Sequence, residues 1–226
     1  MPIFQLDNRI SFPHPDLAEE DGLLAMGGDL SPERLLHAYS LGIFPWFSAG
    51  DPLLWWFTSP RLVIFPPEFT VPKRLARYIR TTDTYTSRDR AFTEVVKICA
   101  QSREERGEAT WIVPEMQEAY NKLHRMGFAH SVECWRDGSL VGGLYGIALD
   151  RVFFGESMFS KISCGSQFAF VHLIDFLRKH GFKLIDCQMT TAHLLRFGAR
   201  EISGKLFQKY LADNIINIAP QPFWKQ

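Results

Sequence analysis

Asp186 and Gln188 lie two positions apart in Leu184-Ile185-Asp186-Cys187-Gln188, within a segment that reads as a strand from Phe182 to Gln188. Side chains two apart in a strand share a face, so this spacing predicts a carboxylate and an amide side by side. Buried polar groups require partners, so the pair either lines a cleft or satisfies a local network. Cys187 is expected on the opposite face, and a thiol nucleophile made from Cys187 and His193 would need a geometry that sequence does not supply. Glu156 follows Phe153-Phe154-Gly155 at the end of a strand and precedes Ser157-Met158-Phe159. A carboxylate emerging among large apolar groups suits a site for a cation, or a rim position paired with an arginine. Trp46 and Trp111 could stack on a base, worth roughly 1–3 kcal/mol each, or fill core.

Around these residues stand the elements that must position them. Ser31-Pro32-Glu33 reads as an N-cap, a proline at the first helical position and an acid in the first turn, with Leu35, Leu36 and Tyr39 as the apolar stripe and Gly42 as the stop. The rest of the first sixty residues is turn-rich and aromatic without a clean period, as a small N-terminal domain would be. Lys73, Arg77 and Arg80 have helical spacing, with Arg74 beside them, so a basic amphipathic helix is predicted. Its cations form either a phosphate-gripping face or an ordinary solvated one. Two more helices are predicted over 91–101 and 114–126. An antiparallel meander follows: Ala129–Trp135, a turn at Asp137-Gly138, Leu140–Leu149 and Val152–Glu156. A helix over 166–180, with Phe168, Val171, Ile174 and Leu177 inward, then leads into the 182–188 strand as a crossover. The expected class is α+β, with a small domain over 1–62 and a larger one over 63–226.

The chain has 226 residues, 46% hydrophobic and 22% charged, which excludes a disulfide-stapled miniature, a disordered chain and a fibrous repeat. Its longest nearly apolar run, Leu140 to Leu149, is interrupted by three glycines and falls far short of the ~20 residues a membrane helix needs. No secretory signal is legible at Met1–Arg9, so a cytoplasmic protein without a membrane partner is expected. Cys99, Cys134, Cys164 and Cys187 are too scattered for a metal knuckle or a redox pair, and no metal is expected. Charge is balanced overall at 25 basic and 25 acidic side chains but unevenly spread. Residues 1–60 carry two basic and eight acidic groups, and residues 61–90 carry seven basic and three acidic.

Beyond these groups, the run from Asp21 to Leu36 (DGLLAMGGDLSPERLL), then Tyr39 and Gly42-Ile43-Phe44-Pro45-Trp46-Phe47, resembles the leucyl/phenylalanyl-tRNA–protein transferases. Trp55-Trp56, Pro60-Arg61, Thr110-Trp111-Ile112, residues 129–133 (AHSVE), residues 140–146 (LVGGLYG), residues 155–160 (GESMFS), residues 184–188 (LIDCQ) and residues 198–201 (GARE) recur in order. The resemblance spans almost the whole chain. It implies a larger domain similar to the N-acetyltransferase superfamily fold. It also implies transfer of leucine or phenylalanine from aminoacyl-tRNA to the N-terminal Arg or Lys of proteins, marking them for degradation, without a cofactor. By the same resemblance Trp46 and Trp111 would hold the terminal adenosine. Leu144, Phe153, Met158, Phe170, Leu173 and Ile185 would line the side-chain pocket, Asp186 and Gln188 would sit at the reacting centre, and Glu156 would face the acceptor's first residue. Lys73, Arg74, Arg77 and Arg80 are then expected to grip the tRNA backbone.

The chain departs from the family pattern at Phe57-Thr58, at Gln167 where a basic residue is common, and at Leu173 where an aromatic is expected. These changes imply a pocket wider on one wall and fewer phosphate contacts. The rival function for such a fold is a coenzyme-A-dependent N-acetyltransferase, which cradles pyrophosphate in a glycine-rich loop at a helix N-terminus. The corresponding stretch here, Lys161-Ile162-Ser163-Cys164-Gly165-Ser166, lacks the first glycine. A non-catalytic tRNA-binding module would leave Asp186 and Gln188 unexplained.

Overall fold

A computed structural model describes residues 3–105, 107 and 110–224. The N-terminal segment, which shows no clean period, builds a sheet of short strands: β1 (Phe4–Leu6), β2 (Leu23–Gly27), β3 (Phe44–Pro45) and β4 (Leu54–Trp56), in the order β1-β2-β4-β3. Between β2 and β3 runs α1 (Pro32–Ser40), capped by Ser31 and started by Pro32 as its sequence predicts. The indoles of the Trp55-Trp56 pair both donate to backbone carbonyls, Trp55 to Gly27 at 2.9 Å and Trp56 to Trp46 at 2.7 Å. Large aromatic side chains with one polar handle thus tie together strands too short to hold themselves.

The larger sheet has seven strands in the order β11-β5-β10-β9-β8-β7-β6. In chain order these are β5 (Arg61–Ile64), β6 (Tyr85–Arg88), β7 (Ala129–Arg136), β8 (Ser139–Leu149), β9 (Val152–Ser160), β10 (Leu184–Asp186) and β11 (Arg200–Ile202). The expected meander is β7-β8-β9, and its Asp137-Gly138 turn has positive φ at both residues, 49° and 72°, which matches the right-handed twist of the strands it joins. β10 pairs in parallel with β9, the product of the expected crossover through α5 (Gly165–Lys179). Every other pairing in the sheet is antiparallel.

Helices cover both faces. On one face α3 (Phe92–Glu104) and α4 (Pro114–Arg125) share a core with β8, β9 and the N-terminal unit, including Val95, Cys99, Tyr120, Phe154 and Tyr39. On the other face α5 presents Phe168, Val171, Ile174 and Leu177, all buried as expected, to Val132, Leu144 and Ile185. Its close approach requires glycine at 142: a Cβ there would lie 2.5 Å from the Gly165 carbonyl carbon. The basic helix α2 (Lys73–Thr81) lies over α5 with Leu75 buried, while Lys73, Arg74, Arg77 and Arg80 are exposed. After β10 come α6 (Ala192–Arg196) and α7 (Gly204–Asn214), on either side of β11 in the chain.

Two expectations need correction. The 182–188 strand is only three residues long, because its parallel partner parts from it after Asp186↔Phe154 and Gln188 turns left-handed at φ 59°. β9 in turn runs past Glu156 to Ser160, so that carboxylate lies within a strand and not at its end.

Candidate active site

A cavity of about 230 Å³ opens where β9 and β10 separate. On one side are Gly155, Glu156, Ser157 and Met158, and on the other Cys187, Gln188 and Met189. The β8–β9 register shifts between Tyr145↔Ser157 and Gly146↔Gly155, leaving Glu156 as the extra residue of a bulge. Bulges bend a strand and re-aim side chains, here a carboxylate into the gap between strands. Leu144, Phe153, Met158, Phe170, Leu173 and Ile185 form the apolar lining, and Trp111, Arg103, Tyr145, Thr191, His193 and Leu194 complete it. The space is smaller than the roughly 300–1,000 Å³ of drug-sized sites and suits one side chain with its reacting group.

Glu156 is 8% exposed and receives three hydrogen bonds. Tyr39 donates to Oε1 at 2.8 Å, Tyr120 to Oε2 at 2.5 Å, and the Gln188 amide to Oε1 at 3.0 Å. Burial raises its pKa to about 7, against the lowering effect of the two phenols. The Gln188 amide nitrogen must face this carboxylate, so the amide oxygen is directed elsewhere and can accept a hydrogen bond from a guest.

Asp186 is fully buried, bound twice by Arg61 at 2.8 and 2.6 Å, and also accepts the Gln188 backbone N–H at 2.9 Å. Arg61, itself fully buried, lies over the rings of Phe207 at 4.6 Å and Phe44 at 4.9 Å. Leu62 holds the same turn from the other side, with its N–H donating to the Gln188 carbonyl and its carbonyl accepting from Cys187. The expected pairing of the Asp186 carboxylate with the Gln188 amide is therefore corrected. Asp186 fixes the backbone of the left-handed Gln188, and Glu156 orients its side chain. Cys187, expected on the opposite face, is among the cavity residues with His193. Burial and the Asp186 charge push its thiol well above the usual range, so it is a poor source of thiolate.

Among known families, the leucyl/phenylalanyl-tRNA protein transferase model matches residues 63–212, and the model of that family's N-terminal domain matches residues 28–59. The chain belongs to this family. A transferase of that name from Desulfotalea psychrophila is 57% identical over 225 residues, covering 100% of this chain and 99% of the relative. Another from Syntrophobacter fumaroxidans is 53% identical, covering 100% and 96%. The crystal structure of FemX has a TM-score of 0.51 at 11% identity, covering 80% of this chain and 71% of that one. That likeness concerns fold alone.

Within the transferase, Glu156, Gln188, Trp111 and all six expected pocket residues line one cavity. Trp46 stands beside it, partly buried, with its ring 6.4 Å from Trp111 and nearly perpendicular to it. Arg103 covers Trp111 at 3.8 Å. Asp186 is behind the wall. Tyr39 and Tyr120 were illegible as site residues because α1 and α4 spacing reads them as core, and only the shared Glu156 reveals their polar ends. A further group of possible ligands, Asp89, His124 and His130, is not among the cavity residues. The His130 imidazole bonds Asp89 at 2.7 Å and the Gly127 carbonyl at 3.2 Å, and His124 bonds the Ala129 carbonyl at 2.8 Å.

Proposed function

We propose that the cavity receives the leucyl or phenylalanyl side chain of an aminoacyl-tRNA and presents its ester to the α-amino group of a protein beginning with Arg or Lys. As a member of its family the chain transfers an aminoacyl group from tRNA to protein. The observation that carries the finer reading is the joining, in one side-chain-sized cavity, of six apolar residues with the Glu156–Gln188 pair.

An aminoacyl ester is already activated. A free α-amino group has a pKa of about 7.7–8.0, so on the order of a tenth is neutral at pH 7 and no strong base is needed. The amine nitrogen attacks the ester carbonyl carbon, the bond to the ribose oxygen breaks as the amide forms, and the departing oxygen takes up a proton. Alignment can supply roughly 7–11 kcal/mol of such a barrier. Gln188 accepts a hydrogen bond from the attacking amine through its amide oxygen, held by Glu156 and by the Asp186-fixed backbone. Glu156, ionised above about pH 7, attracts the cationic first residue of the acceptor. Trp46 and Trp111 flank the terminal adenosine, and Lys73, Arg74, Arg77 and Arg80 hold tRNA phosphates. None of these four forms an ion pair among the described residues, which supports that role. No cofactor takes part, and the product is marked for degradation in the cytoplasm.

We further propose a division into units 1–62 and 63–226, supported by a four-stranded sheet confined to the first sixty residues and by family models that end at 59 and begin at 63. The coenzyme A alternative is disfavoured by the α5 N-terminus, where the Ser166 N–H that a pyrophosphate would need already donates to Ser160 Oγ at 2.6 Å. Incubation with leucyl-tRNA and a peptide beginning with Arg should add the mass of one leucine. Inert leucyl-tRNA together with acetylation from acetyl-coenzyme A would overturn the reading.

A further inference from the structure

Four buried side-chain polar atoms lack a hydrogen-bond partner among the described residues: Nε of Arg34, Arg88 and Arg136, and the hydroxyl oxygen of Tyr145. Arg34 and Arg136 bond through their other nitrogens, and Arg88 lies against a different cavity. Tyr145 alone of the four lines the cavity of the active site, and it is 0% exposed.

Its position is well defined. Tyr145 stands on β8 beside the bulge that projects Glu156, and its ring is held edge-on by Tyr120 at 5.3 Å and Phe92 at 5.9 Å. Three phenols therefore surround one carboxylate region. Tyr39 and Tyr120 give their hydroxyl hydrogens to Glu156 or to each other. Tyr145 has none of these bonds. Burial, reinforced by the Glu156 charge, raises its pKa well above the ordinary tyrosine value, so it remains a donor at any working pH. Leaving such a donor unpaired is costly, and a native structure that tolerates the cost calls for an explanation.

The chemistry of the site indicates the missing partner. Glu156 and the Gln188 amide oxygen are acceptors, which serve the N–H groups of a guest. Both substrates also bring a carbonyl oxygen next to the reacting atoms, and these need a donor. Ser157, Thr191 and His193 can be served by water in the empty site, whereas the buried Tyr145 hydroxyl gains a partner only when a bound guest draws it toward the cavity its residue lines.

We propose that Tyr145 is a substrate-binding residue that donates its hydroxyl hydrogen to a carbonyl oxygen of the bound substrate, either the ester carbonyl of the aminoacyl donor or the first peptide carbonyl of the acceptor. The proposal rests on the aminoacyl-transfer reading.

The test is Tyr145→Phe, which removes the hydroxyl and keeps the ring, assayed with leucyl-tRNA and an Arg-initiated peptide beside the wild type. The variant's Tm should equal or exceed the wild-type value, because an unpaired buried hydroxyl is gone. Transfer should fall about 10–100-fold, the rate equivalent of the missing hydrogen bond. A loss in kcat with both KM values unchanged assigns the ester carbonyl, and a raised KM for the peptide alone assigns the peptide carbonyl. Kinetics within twofold of wild type would overturn the proposal. So would a lowered Tm with activity lost in proportion to folded protein, since the hydroxyl would then be structural. A wild type inert with charged tRNA would instead sink the reading on which the proposal rests.

Discussion

Glu156 carries the site's pH dependence. With a pKa near 7 it is half-ionised at neutrality, so the KM for a cationic acceptor should fall as pH rises through about 7. The Glu156→Gln variant should have a higher KM that no longer follows this titration, as initial rates at varied peptide concentration between pH 6 and 8.5 would reveal. Stability moves the other way. A carboxyl whose folded-state pKa is raised above 4.5 binds its proton more tightly when folded, so its contribution falls as pH rises from about 4.5 to about 7. The Tm of Glu156→Gln relative to wild type should therefore improve across that window. Asp186 and Gln188 should separate cleanly. Asp186→Ala strips a buried guanidinium of its partner and should cost about 3–5 kcal/mol of stability by denaturant unfolding. Gln188→Ala, which removes one hydrogen bond to Glu156, should cost only about 1 kcal/mol and lower kcat by roughly 10²–10⁴-fold. Comparable unfolding losses in both variants would contradict this division of roles.

Among the elements, those with a strong period or a defined stop were legible: the capped α1, the meander with its Asp-Gly turn, α5 with its apolar stripe, and the crossover into β10. The N-terminal sheet was not, since its strands have only two to five residues and are held by indole–carbonyl bonds between distant positions. Nor was the end of β10. Period-two reasoning put Asp186 and Gln188 on one face, but parting strands and a left-handed Gln188 replace that periodicity with contacts from Arg61, Leu62 and Glu156, none of them near in sequence. The α2 helix was legible as basic and amphipathic, and its partner can be tested at that scale. Replacing Arg77 and Arg80 with Ala should raise the KM for tRNA and flatten the dependence of log affinity on log salt by roughly 0.7–0.9 for each phosphate the helix no longer neutralises. An unchanged slope would make the helix an ordinary solvated face.

At the scale of the whole molecule, the N-terminal unit and the larger sheet are joined through the site itself. Tyr39 from α1 and Tyr120 from α4 meet on Glu156 of β9, and Arg61 links Phe44 and Phe207 to Asp186. One core runs from Leu24 and Leu35 through Val95 and Phe154, so deleting the N-terminal unit should abolish cooperative unfolding of the remainder and not merely its activity. The central claim is that the cavity between β9 and β10 receives the aminoacyl side chain and aligns its ester with Gln188. It is tested most directly by a crystal structure with a hydrolysis-resistant amide analogue of 3′-leucyl-adenosine. The leucyl side chain should lie among Phe153, Phe170 and Ile185, with the amide carbonyl carbon next to Gln188 and the adenine against Trp111. A leucyl side chain seated outside this cavity, or a cavity left empty while the analogue binds elsewhere, would contradict the account.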